Sequence, residues 1–82
     1  MAKLKNVGYI LRKAKSGRII VKLQVEVKEG TMLYDKKGRK VGLVREVFGP
    51  VSSPYASLEP RTDRIRGMIG DPVYAREEEK KK

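Results

Sequence analysis

Chemistry in this chain would have to rest on lysine, arginine, ten acids and four serines, because histidine and cysteine are both absent. Their absence removes the usual general base, the usual nucleophile and the usual nitrogen and sulfur metal ligands. Ser16, Ser52, Ser53 and Ser57 therefore have no imidazole to activate them. The acids stand apart except for Glu77-Glu78-Glu79, in a terminal charged run expected to be disordered and unable to hold two carboxylates at a fixed separation. Asp35, Asp63 and Asp71 sit in turn sequences, where a carboxylate caps its own turn. No glycine-rich phosphate loop is present. A lysine acts as a base only where burial depresses its pKa, and a chain of 82 residues has little interior to offer. No catalytic residue, no metal site and no cofactor are expected. What remains is binding.

The strongest compositional signal for binding is charge, at +10 with a pI near 10.1. It is lopsided: residues 1–40 carry +9 and residues 41–82 carry +1. Such a field favours a polyanionic neighbour such as RNA. Adaptation to heat, in which Lys and Glu rise together, does not account for it, because acids number half the basic residues. Lys3, Lys5, Lys13, Lys15, Lys36 and Lys37 are the candidates for RNA proximity, although Lys36 and Lys37 read first as solvated turn residues. Apolar stretches of two or three residues provide no membrane span, and the start of the chain reads unlike a secretory signal, so a cytoplasmic protein with no membrane partner is expected.

The elements that must position these residues read as short strands between regular glycine and proline punctuation. Expected strands are Val7 to Lys13, Arg18 to Glu26, Met32 to Tyr34, Lys40 to Phe48, Tyr55 to Glu59 and Pro72 to Ala75. In the first, Val7, Tyr9 and Leu11 alternate on one face. In the second, Ile19, Val21, Leu23 and Val25 face one way against Arg18, Lys22, Gln24 and Glu26. In the fourth, Val41, Leu43 and Val47 share a face opposite Val44 and Phe48, an arrangement that calls for cover on both sides. Six short antiparallel strands close most economically into a small barrel, since closure removes exposed edges. The expected organisation is a single all-β barrel domain over residues 1–76 and a charged tail over 77–82.

One segment goes beyond composition: Val41-Gly42-Leu43-Val44-Arg45-Glu46-Val47-Phe48-Gly49-Pro50-Val51, followed by Pro54-Tyr55. Here a strand runs into a Gly-Pro corner, crosses a short loop and restarts. Pro50 and Pro54 fix φ and stiffen that loop, so Phe48, Val51 and Tyr55 are either presented on a preorganised element or packed inward at an ordinary barrel corner. The segment resembles the signature of the archaeal Gar family, the small barrel subunit of H/ACA ribonucleoproteins. The likeness extends more loosely from Val7 to Ala75, including the closing Ile69-Gly70-Asp71-Pro72-Val73-Tyr74; Glu46 stands where the family's hexapeptide carries aspartate.

The resemblance implies a six-stranded antiparallel barrel similar to domain II of translation elongation factors. It implies a partner, the pseudouridine synthase catalytic subunit, gripped away from its active site so that substrate RNA loads and product leaves. Guide RNA and substrate rRNA are reached through that complex, and the catalytic aspartate belongs to the synthase. Carried over, the docking surface comprises Val41, Gly42, Val44, Phe48, Gly49, Pro50, Val51, Pro54 and Tyr55. An uncovered apolar patch there would also let the isolated protein self-associate. The alternative is a free-standing RNA-binding barrel, OB-like or ribosomal. Such proteins interleave aromatic and basic residues on one face, whereas Tyr9, Tyr34, Phe48, Tyr55 and Tyr74 are dispersed along this chain. A barrel from a translation factor would need a nucleotide-binding domain, and no such sequence is present.

Overall fold

The computed structural model describes residues 3–62 and 65–77. Six strands, β1 (Lys3–Lys13), β2 (Ile19–Leu23), β3 (Met32–Tyr34), β4 (Lys40–Phe48), β5 (Tyr55–Pro60) and β6 (Pro72–Glu77), form a closed antiparallel barrel in the order β1-β2-β5-β4-β3-β6. The barrel expected from the punctuation and from the family resemblance is the fold observed. Because every neighbouring pair is antiparallel, the connections fall at two ends. The β1–β2 hairpin, the β3–β4 turn and the β5–β6 connection share one end; the β2–β3 and β4–β5 loops share the other.

The core is aliphatic throughout. Val7, Ile10, Ile19, Val21, Leu23, Leu33, Val41, Val44, Ala56, Leu58 and Val73 fill the interior, while Val27 and Ile65 are buried on the connecting segments. None of the five aromatic residues belongs to this cluster. Aromatic side chains carry the largest apolar area, so leaving all of them outside commits that area to the surface.

The departures from the period-two reading in β1 and β4 have a common cause, register shifts. In β1 the pairing slips between Ile10 and Arg12 against β2, and between Asn6 and Gly8 against β6. An extra residue there turns successive side chains to the same side. Val7 and Ile10 therefore point inward, Tyr9 is 38% exposed and Leu11 half-buried, instead of all three odd-numbered residues sharing the core face. In β4 the pairing with β3 slips between Lys40 and Gly42, so Val41 and Val44 both enter the core, and the pairing with β5 slips between Val44 and Glu46; Leu43 and Val47 are half-buried. β2 ends at Leu23 rather than Glu26, because the chain leaves β5 there: Gln24 N–H donates to the Val7 carbonyl at 2.7 Å and the segment turns toward β3.

The 3-10 helix Ile65–Met68 has no precursor in the strand reading. Its buried Ile65 covers the hairpin end of the barrel. β6 continues to Glu77, one residue into the expected tail; residues 78–82, and the proposed turn cap Asp63, lie outside the described residues.

Candidate functional site

The loop between β4 and β5 is built from its backbone outward. Gly49 adopts φ +98°, a left-handed conformation that strains other residues. A Cβ at that position would also stand 2.9 Å from Cδ1 of Tyr55. Pro50 follows, and Ser53 N–H donates to its carbonyl at 3.1 Å, closing the turn. At the tip Val51 is 98% exposed. Where the loop returns, Pro54 accepts a hydrogen bond from Leu23 N–H at 2.9 Å, tying it to the end of β2.

Phe48 and Tyr55 are directly opposed across β4 and β5, and their rings stack at 5.8 Å between centroids with 16° between planes. Phe48 remains 43% exposed. The same row continues across the barrel, since Tyr55 pairs with Lys22 on β2 and Lys22 pairs with Tyr9 on β1. Lys22 Nζ lies 4.5 Å from the Tyr55 ring centroid and donates to its hydroxyl at 3.2 Å. The lysine is thereby held as part of the row. A shallow hollow of about 240 Å³, lined by Glu26, Val47, Phe48, Gly49, Pro50, Val51 and Pro54, borders it.

Of the nine residues carried over as docking positions, six gather here: Phe48, Gly49, Pro50, Val51, Pro54 and Tyr55. Val41, Gly42 and Val44 do not. Val41 and Val44 are 0% and 1% exposed in the core, so neither can touch a partner. Gly42 is buried as well, and a Cβ there would meet the Leu58 Cβ at 2.9 Å. These three shape the wall beneath the loop. Tyr9 and Lys22 were missed, because they reach the row only through β-ladder pairing with residues far along the chain. The outward side of Lys22 was legible from periodicity; that of Tyr9 was hidden by the bulge.

The six lysines considered for RNA proximity are all exposed, and they fall into two groups. Lys3 and Lys5 begin β1, near the β4–β5 loop end. Lys13 and Lys15 lie on the β1–β2 hairpin and Lys36 and Lys37 on the β3–β4 turn, all at the opposite end. Beside them stand Arg39, Lys40 and Arg61, around two shallow hollows of about 300 and 460 Å³. Asp35 lies among these cations. Its Oδ1 accepts from the backbone N–H groups of Lys37 (2.9 Å) and Arg39 (2.8 Å), and its Oδ2 from Arg39 Nε (2.9 Å). Burial alone would push this carboxyl up; the hydrogen bonds from Arg39 and Lys37, with the guanidinium charge, outweigh it and hold the carboxyl below its ordinary value.

A closed barrel whose core is aliphatic, whose aromatics lie outside and whose charge gathers at one end is a binding module. A family model described as the Gar1/Naf1 RNA binding region matches residues 4–82, and the chain belongs to this family, an RNA-binding accessory family and not a catalytic one. Two archaeal proteins, both called uncharacterised, are similar to it. One, from Methanothermobacter thermautotrophicus, is 27% identical over 75 residues, covering 87% of this chain and 82% of its own. The other, from Methanocaldococcus jannaschii, is 37% identical over 51 residues, 62% of each chain.

Proposed function

We propose that this protein is a non-catalytic accessory subunit of an H/ACA ribonucleoprotein. It binds the catalytic domain of the pseudouridine synthase and promotes substrate RNA loading and product release in guide-directed rRNA pseudouridylation. The observation that carries the reading is the exposed row at the β4–β5 loop: Phe48 stacked on Tyr55, with Val51 98% exposed beyond them. Stable interfaces are centred on aromatic and aliphatic anchors within a polar rim, and a loop stiffened by Pro50 loses little conformational freedom on docking.

On this reading the subunit supplies no group to the isomerisation. It acts by holding a mobile loop of the synthase, and a binding surface that favours one loop position shifts the balance between loading and release. In an archaeal cell this takes place in the cytoplasm; among the described residues no helix is long and apolar enough to cross a membrane.

The test is affinity for the archaeal synthase subunit and for a guide RNA, measured separately at about 50 and about 200 mM salt. Docking through the apolar row predicts synthase binding that survives the higher salt and weakens by about thirtyfold or more in Phe48→Ala. RNA bound tightly at the higher salt with the synthase ignored would replace this reading with that of a free-standing RNA-binding barrel.

A further inference from the structure

The aromatics outside the loop row form a second row on the other side of the barrel. Tyr34 on β3 is directly opposite Tyr74 on β6, and on its other side Tyr34 pairs with Lys40 on β4. Paired residues in a β-ladder point to the same face, so Lys40, Tyr34 and Tyr74 make one outward row across three adjacent strands, spanning roughly 10 Å. Arg76 lies over the Tyr34 ring, 5.6 Å from its centroid. In the closed order, β3 and β6 are across the barrel from β2 and β5, which carry Lys22 and Tyr55. The two rows are thus centred on opposite sides of the barrel.

Beyond Lys40 the row meets the cationic end of the barrel. Lys36, Lys37 and Lys40 are exposed, and among the described residues no ion pair engages them. Asp35, the acid closest to them in sequence, is neutralised within its own turn by Arg39. The two hollows share Asp35, Arg39 and Met68; Lys36, Lys37 and Asp71 line the first, and Lys40, which pairs with Tyr34, lines the second and links this end to the aromatic row.

We infer that this face binds a single-stranded segment of RNA, its phosphates on Lys36, Lys37 and Lys40 and its bases on Tyr34, Tyr74 and the guanidinium plane of Arg76. A cationic depression beside stacking side chains is the combination that single-strand binders use, and it carries no base-specific donor pattern. The inference rests on the RNA-binding family membership and assigns the contact to a particular face. The charge asymmetry of the sequence then has a purpose: it lies mainly at the end away from the loop row, so RNA and a protein partner are held on different sides.

The test uses the full chain and a uridine decamer. The protein contains four tyrosines and no tryptophan, so its intrinsic emission reports tyrosine alone. Quenching by the decamer is expected in the wild type and in Tyr9→Phe/Tyr55→Phe, and lost in Tyr34→Phe/Tyr74→Phe, where stacking is kept and only the reporters change. Neutralising Lys36, Lys37 and Lys40 to Gln should reduce the slope of log affinity against log salt by about two. The same number of neutralisations at Lys3, Lys5 and Lys28, all toward the β4–β5 loop end, should leave that slope unchanged. Quenching that follows Tyr9 and Tyr55, equal slope losses in both triple variants, or no binding at low salt would overturn the inference. Synthase affinity measured on the same lysine variants separates the two readings: if it is unchanged while RNA binding fails these criteria, only the RNA face is wrong.

Discussion

Asp35 and Gly42 show how much a single side chain, or the lack of one, does in a barrel this small. The Asp35 carboxyl is held below its ordinary value in the folded state, against about 3.9 in the unfolded chain. It therefore adds stability that is complete above the unfolded pKa and is lost as pH falls through the folded one. Asp35→Asn should destabilise the protein at neutral pH by about 1–3 kcal/mol, and the gap from the wild type should narrow toward about pH 2. Urea unfolding at a series of pH values reads this directly. Gly42→Ala should cost about 1–3 kcal/mol by driving a methyl into Leu58, with the urea midpoint falling accordingly. Asp35 was legible as a turn residue, since Asp-Lys-Lys-Gly is a turn sequence by itself. The need for glycine at 42 was not, because it arises from Leu58 on a neighbouring strand, sixteen positions along the chain.

At the scale of elements, the bounds of β3 and β4 could be read directly, as could the inward face of β2, where Ile19, Val21 and Leu23 alternate without interruption. Bulges hid the rest. Alternation in β1 and β4 suggests one assignment of faces, and a single extra residue in each ladder produces another. The faces at the candidate site differ accordingly: Val44, which alternation places opposite Val41, is buried beside it, and Tyr9, which alternation groups with Val7, extends the exposed row. The β4–β5 loop was legible because glycine and proline speak for local geometry alone. If its stiffness aids docking, Pro50→Ala should weaken synthase binding by about two- to fivefold, with the change in the entropy of binding by calorimetry. An unchanged affinity would mean the loop is held by Ser53 and Pro54 without help from Pro50.

Over the whole molecule, the aliphatic core leaves five aromatic rings for the surface, and strand order sorts them into a row of three and a row of two on different sides. No part of that sorting is visible along the chain, where the rings are merely dispersed; the dispersal that argued against stacking surfaces disappears once the barrel closes. Two separate faces predict independence. Combining Phe48→Ala with the neutralised Lys36, Lys37 and Lys40 should give losses that add within about 0.5 kcal/mol for each ligand measured alone. The central claim is that the loop row is a protein-docking surface. Its most direct test is the affinity of a Val51→Asp variant for the synthase subunit. Val51 is 98% exposed, so the substitution should leave the unfolding midpoint within about 0.5 kcal/mol of the wild type. A tenfold or greater loss of synthase affinity with stability intact is the predicted result, and wild-type affinity in that folded variant would contradict the account.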